Sequence, residues 1–229
     1  MAKPVQMPLD LGGGPSYAAA DFLVADSNRD AHAAIDGWTE WRTQALALVG
    51  PEGSGKTHLA HLFAARSGAP IVGADHLRPD AVPGLAEAAA VAVEDVDRGV
   101  DEPALLHLFN LSHERGRRLL LTGREPPARW RIGLADLRSR LVAMSVAVIR
   151  PPDEALLAAL MVKLFADRQL RIDPGLPAYL MPRLERSFGA IHAAVAALDR
   201  AAMELRRPVN AALARDVLGF GVTPDLWDG

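Results

Sequence analysis

The octapeptide Gly50-Pro51-Glu52-Gly53-Ser54-Gly55-Lys56-Thr57 fits the pattern G-x-x-x-x-G-K-[ST] without a mismatch. Before it stands Ala45-Leu46-Ala47-Leu48-Val49, a short apolar run whose length predicts a buried strand. After it a helical pattern begins near Lys56. Strand, glycine-rich loop and helix in that order form the context in which this pattern cradles phosphates. The glycines let backbone N–H groups turn inward, and the helix N-terminus adds partial positive charge. Lys56 would then bring a point charge to the terminal phosphates and Thr57 a hydroxyl to Mg²⁺. Composition singles out the same residue: of 25 basic residues only Lys3, Lys56 and Lys163 are lysine.

Outward from the loop, strand and helix patterns alternate. Apolar runs at 70–72, 89–93, 119–122 and 143–149 predict strands, and helical periodicity at 27–41 and 102–115 predicts helices. Continuous apolar strands between helices predict a parallel sheet covered on both faces. Pro151-Pro152 cuts the chain, and beyond it only helices are predicted, at 153–168, 174–184, 191–206 and 210–218. The expected organisation is a tail at 1–20, an α/β domain at 21–150, a small helical domain at 151–220 and a C-terminal tail at 221–229 that contains Trp227.

Ala90-Val91-Ala92-Val93-Glu94-Asp95 ends a predicted strand in two carboxylates, at the strand end where doubly wound sheets place ligands. One would hold Mg²⁺ through water and the other would orient or deprotonate an attacking water. The bland alternative is a solvated acidic loop, because Asp97 and Asp101 follow closely. His58, His61 and His107 lack a shared helical face and acidic company, so they are read as solvated or core histidines rather than metal ligands.

The bulk numbers bound the rest. At 229 residues the chain has room for one large domain, or one medium and one small, taking roughly 150 residues per domain. Half the residues are hydrophobic and 23% are charged, which excludes a chain too polar to collapse. A formal charge of −3 lacks the basic footprint of a dedicated duplex-DNA binder. Without cysteine there are no disulfides, thiolate metal sites or cysteine nucleophiles. No apolar stretch approaches the ~18 residues of a membrane span, and Pro4, Pro8 and Asp10 interrupt what would be a signal core. The expectation is a cytoplasmic protein with no membrane partner.

Together these residues resemble the AAA+ ATPases, and within them the DnaA family. Leu120-Leu121-Thr122-Gly123 is similar to the strand end where AAA+ proteins carry a small polar residue that senses the γ-phosphate, which makes Thr122 the matching position. Leu134-Ala135-Asp136-Leu137-Arg138-Ser139-Arg140-Leu141 resembles the segment holding the family's arginine finger, at Arg140. Phe22-Leu23-Val24 with Ser27-Asn28-Arg29 resembles the stretch around the adenine base, which implies Phe22, Val24 and Asn28 as base contacts. The helices after Pro151 resemble the AAA+ lid. The tail segment Gln6-Met7-Pro8-Leu9-Asp10-Leu11 is similar to the peptide that binds the bacterial sliding clamp, with Gln6, Met7, Leu9 and Leu11 as anchors.

That combination, with a DnaA-like body that stops soon after its last helix, resembles the Hda group, the regulatory inactivators of DnaA. The resemblance implies the DNA polymerase III β sliding clamp and DnaA as partners, and DNA contact only through the clamp. It also implies ADP or ATP with Mg²⁺ as cofactors, and weak or absent ATPase activity of its own. A homo-oligomer is compatible with it.

Two departures qualify the match: Glu94 stands where the family usually has Asp, and Gly189 stands where a lid arginine would contact phosphate. Arg186, three positions earlier and on the same helical face, is the candidate replacement. Rival readings are an AAA+ factor that loads a helicase or a transposition complex, which would turn over ATP, and a small-molecule P-loop kinase.

Overall fold

The computed structural model describes residues 22–220. Five parallel strands form one sheet in the order β2-β3-β4-β1-β5: β1 Ala45–Val49, β2 Ile71–Gly73, β3 Ala90–Glu94, β4 Arg118–Gly123 and β5 Ser145–Val148. Strand β1 is buried along its whole length, as its uninterrupted apolar run requires when both sheet faces are covered. One face packs on α1 Arg29–Asp36 and α2 Lys56–Ser67, where Leu46, Leu48, Leu59 and Phe63 form a core. The other packs on α3 Val82–Leu85, α4 Glu102–Glu114 and α5 Ala135–Val142, with Ala47, Val91, Leu105, Leu121 and Leu137 inside.

Register is what assembles the site. Val49 pairs with Gly123, and Val93 pairs with Leu121. The C-terminal ends of β1, β3 and β4 are therefore level, so the loop after Val49, the acids after Val93 and the hydroxyl of Thr122 meet on one edge.

A third core belongs to the helices α6 Glu154–Asp167, α7 Leu176–Leu180, α8 Phe188–Leu205 and α9 Ala211–Leu218. Three of these helices carry side-chain N-caps: Asp153 accepts from the Leu156 N–H, Ser187 from Ala190 and Asn210 from Leu213. Such caps fix where a helix starts and contribute about 1 kcal/mol each. Among the described residues no helix is long and apolar enough to cross a membrane.

The structure corrects several expectations. The helix expected over 27–41 stops at Asp36, and a 3₁₀ turn, Trp38–Glu40, follows Gly37. After that break both Trp38 and Trp41 pack on Phe63, at ring separations of 5.9 and 5.4 Å. The strand expected over 143–149 is shorter because Ala143 ends α5, a helix that apolar periodicity did not reveal. The helix expected over 174–184 is the short α7 followed by the 3₁₀ turn Met181–Arg183. Helix α8 begins three residues earlier than expected, because Ser187 caps it.

Candidate functional site

The loop between β1 and α2 wraps around the Lys56 side chain. Its Nζ donates to the carbonyls of Gly50 and Pro51, at 2.8 Å each, and the residue is only 8% exposed. Burial holds the ammonium below its ordinary pKa, against the opposing attraction of Asp95, Asp97 and Glu52. Gly53 and Gly55 have φ of +67° and +96°, a left-handed backbone that only glycine adopts without strain, and it is this that curls the loop. Ser54 is buried, and its Oγ has no hydrogen-bond partner, so a donor or acceptor brought by a ligand would satisfy it. Thr57 is exposed in the first turn of α2.

Across from the loop, Glu94 ends β3 half-buried, and Asp95 follows in a left-handed conformation, φ +58°. A non-glycine residue in that region is uncommon and persists where its surroundings hold it. Thr122 is the holder: its buried Oγ1 accepts the Asp95 N–H at 3.0 Å. A hydroxyl accepting in this way keeps its own hydrogen to donate. The solvated acidic loop expected as an alternative is not what forms. Asp97 is 7% exposed on its side chain and its Oδ2 accepts both the N–H and the Nε–H of Arg124, at 3.1 and 2.9 Å. That carboxylate holds the Arg124 pKa above its ordinary value. Asp101 is spent on capping α4, accepting from Ala104.

The residues expected around a base divide in two. Phe22 lies against the loop, its ring 3.3 Å from where a Cβ on Gly55 would stand. It stacks on His32 at 5.4 Å and meets His58 edge-on at 5.1 Å. Val24 is half-exposed. Asn28 is buried, with Oδ1 accepting from Ala25 and Nδ2 donating to Leu23 O, so its amide shapes the 23–25 turn. Gln6, Met7, Leu9 and Leu11, and likewise Trp227, lie outside the described residues.

The lid reaches the loop through glycine. A Cβ built on Gly53 would stand 2.9 Å from the Gly189 backbone N, so the first turn of α8 rests directly on the phosphate loop. Next along α8, His192 is held below its ordinary pKa by desolvation, then by Arg168 and His58. Arg186 precedes the Ser187 cap and so lies outside α8, not on a helical face shared with Gly189; it is 73% exposed, with Nη2 3.4 Å from Glu154 Oε2. Arg140 sits in the last turn of α5 and pairs with Asp136 on its own helix at 3.0 Å. Glu102 of α4 fixes the start of α5 by accepting the N–H groups of Gly133 and Leu134, at 2.8 and 2.7 Å.

No protein-family model matches the chain. Solved structures do resemble it. Domain III of the replication initiation protein DnaA from Thermotoga maritima is similar over 92% of this chain and 99% of its own, with 18% identity and a TM-score of 0.78. DnaA from Aquifex aeolicus, bound to AMPPCP, is similar over 85% of this chain and 68% of its own, with 18% identity and a TM-score of 0.68. A RuvB variant from Thermotoga maritima matches over 89% of this chain and 72% of its own, with 12% identity and a TM-score of 0.68. The fold is that of the AAA+ P-loop NTPases, with a helical lid. Identities this low establish the fold alone.

Within this frame the level strand ends bring Lys56, Glu94, Asp95 and Thr122 to one edge of the sheet, while Arg140 is on α5 and Arg186 lies just before α8. Sequence reasoning missed Arg98 and the Asp97–Arg124 clamp. The only signal was an arginine directly after Glu94-Asp95-Val96-Asp97, where charge alternation is compatible with pairing as much as with solvation.

Proposed function

We propose that this chain is a nucleotide-holding regulator of chromosomal replication initiation, of the Hda type: it binds the sliding clamp and provokes hydrolysis of the ATP held by DnaA. The observation that carries this reading is the phosphate loop, with Lys56 buried inside it and the lid helix resting on it through Gly189. A loop so arranged suits a nucleotide, ADP or ATP, retained as a structural ligand that stabilises the folded form by mass action. Thr57 and Glu94 would hold Mg²⁺, since an exposed hydroxyl and a carboxylate are the few hard oxygen donors that this ion takes beside phosphates. Held there, it would supply neutralisation of phosphate charge. Asp95 would orient a water, and Thr122, whose hydrogen is available, would donate to the terminal phosphate.

The regulatory step belongs to Arg140. The phosphoryl-transfer transition state spreads negative charge, and an arginine supplied in trans accelerates it by about 10³–10⁵-fold. On α5 the Asp136 pair is an exposed i, i+4 contact worth well under ~1 kcal/mol, so the guanidinium exchanges readily onto another protein's nucleotide. With Gln6, Met7, Leu9 and Leu11 in a clamp groove, the protein would act where the clamp sits on DNA.

The test is a reconstitution with DnaA, ATP and DNA-loaded clamp. Arg140→Ala should abolish stimulated hydrolysis while clamp retention persists, and replacing Gln6, Leu9 and Leu11 by Ala should abolish clamp retention while nucleotide binding persists. Stimulation at the normal rate by Arg140→Ala would reject the proposal. The intact Thr122–Asp95 bond favours a second reading, an AAA+ ATPase that loads a helicase or transposition complex. Steady ATP turnover by the chain alone or with DNA would support it.

A further inference from the structure

The phosphate cradle is bordered by a cation that its motif does not include. Arg98 closes the 3₁₀ turn Val96–Arg98, directly after the acidic end of β3. Its guanidinium reaches two ways: Nη2 lies 3.4 Å from Glu52 Oε2 in the loop, and Nε lies 3.7 Å from Asp95 Oδ2. Its charge is also felt at Lys56, where it opposes protonation. One side chain thus bridges the loop and the acid after β3, with its charge felt at Lys56.

Arg124 shows by contrast what a fixed arginine looks like here. Its two bonds to Asp97 are 3.1 and 2.9 Å long and end on a nearly buried carboxylate. The Arg98 contacts are longer than the ~2.7–2.9 Å of a strong charged hydrogen bond. They end on carboxylates that are 76% and 47% exposed, and Arg98 itself is 47% exposed. Water competes for all three groups, so these pairs are weak and exchangeable.

We infer that Arg98 is a phosphate-binding arginine acting in cis, which leaves Glu52 and Asp95 to take the terminal phosphate of a bound nucleoside triphosphate. This rests on the nucleotide-site reading above. Glycine at 189 brings no cation to the loop, and Arg98 supplies one from the sheet side. A nucleoside diphosphate ends short of Asp95 and leaves Arg98 in its resting pairs. A triphosphate draws it away, which also strips Asp95 of its neutralising partner and returns a full carboxylate to face water. Arg98 therefore distinguishes the two nucleotides.

Calorimetric titration of the full chain with ADP and with AMPPCP, each with Mg²⁺, tests this in the wild type, Arg98→Ala and Arg98→Lys. Arg98→Ala should weaken AMPPCP binding about tenfold or more while ADP binding stays within roughly twofold, and Arg98→Lys should restore part of the loss. Equal weakening of both nucleotides, or of neither, overturns the inference and leaves the nucleotide site standing. Failure of the wild type to bind either nucleotide overturns the site reading and the inference together.

Discussion

The two walls of the proposed nucleotide cleft are made by opposite means. The sheet wall is dense with charge and cross-bonded: Asp95 to Thr122, Asp97 to Arg124, Arg98 to Glu52 and Asp95. The lid wall meets the loop with backbone, Gly189 against Gly53, and its nearby arginine is turned to Glu154. The difference teaches where chemistry and where closeness are supplied. The groups proposed to act on phosphate come from strand ends fixed by register, while the lid meets the loop through glycine backbone.

Four experiments would break or sharpen that contrast. The largest effect belongs to the sheet wall and its loop. Lys56→Ala should weaken nucleotide binding by about 100-fold or more, roughly 3 kcal/mol, as read by fluorescent-nucleotide titration. Gly53→Val stands on both walls at once, since it needs an unfavourable positive φ and drives a side chain into the Gly189 backbone. A loss of about 1–3 kcal/mol in stability is expected, and equilibrium denaturation measures it. If the loss is negligible, the lid does not rest on the loop in solution. Asp97→Asn keeps the shape of the sheet-wall clamp and removes its charge. The expected cost is about 1–2 kcal/mol by the same measurement, with nucleotide affinity reduced less than in Lys56→Ala.

The smallest effect is a pH dependence outside both walls. The N–H groups of Gly133 and Leu134 hold the Glu102 carboxyl below its ordinary pKa, with Arg138 adding slightly. A depressed folded pKa means the unfolded state binds the proton more readily, so stability falls as pH falls. The contribution of Glu102 is therefore complete above its ordinary pKa, roughly pH 4, and disappears as pH drops through the lower folded value. Melting curves of the wild type and Glu102→Gln should differ near neutrality and converge in acid.

What was legible in the sequence follows from where the controlling interactions act. The stretch from Ala45 to Thr57 could be read residue by residue because apolar run, glycines and helix start are all local signals. The level strand ends followed once each run was read as a parallel strand. Helix α5 was missed because only Leu137 and Leu141 of its residues are buried, too few for a period to show. The end of α1 was missed because a glycine at 37 is tolerated within a helix, and the pull of Trp38 and Trp41 toward Phe63 is a tertiary effect. Arg98 was missed, and Asp97 figured only in the alternative of a solvated acidic loop, because nothing in their neighbourhood announces Arg124 or Glu52. Those partners lie 27 and 46 positions away along the chain. Alternating charge tells which groups can pair, and only the fold tells which do.

Returning to the glycine contact, its two members are not equivalent. A methyl at 53 collides with backbone, whereas a methyl at 189 would meet nothing nearer than 3.9 Å. Position 189 is therefore a shim slot: alanine should leave the lid seated, and progressively bulkier residues should wedge it ajar by increments. A graded series there would turn lid opening from an event into a dial, with nucleotide dissociation rate as its scale.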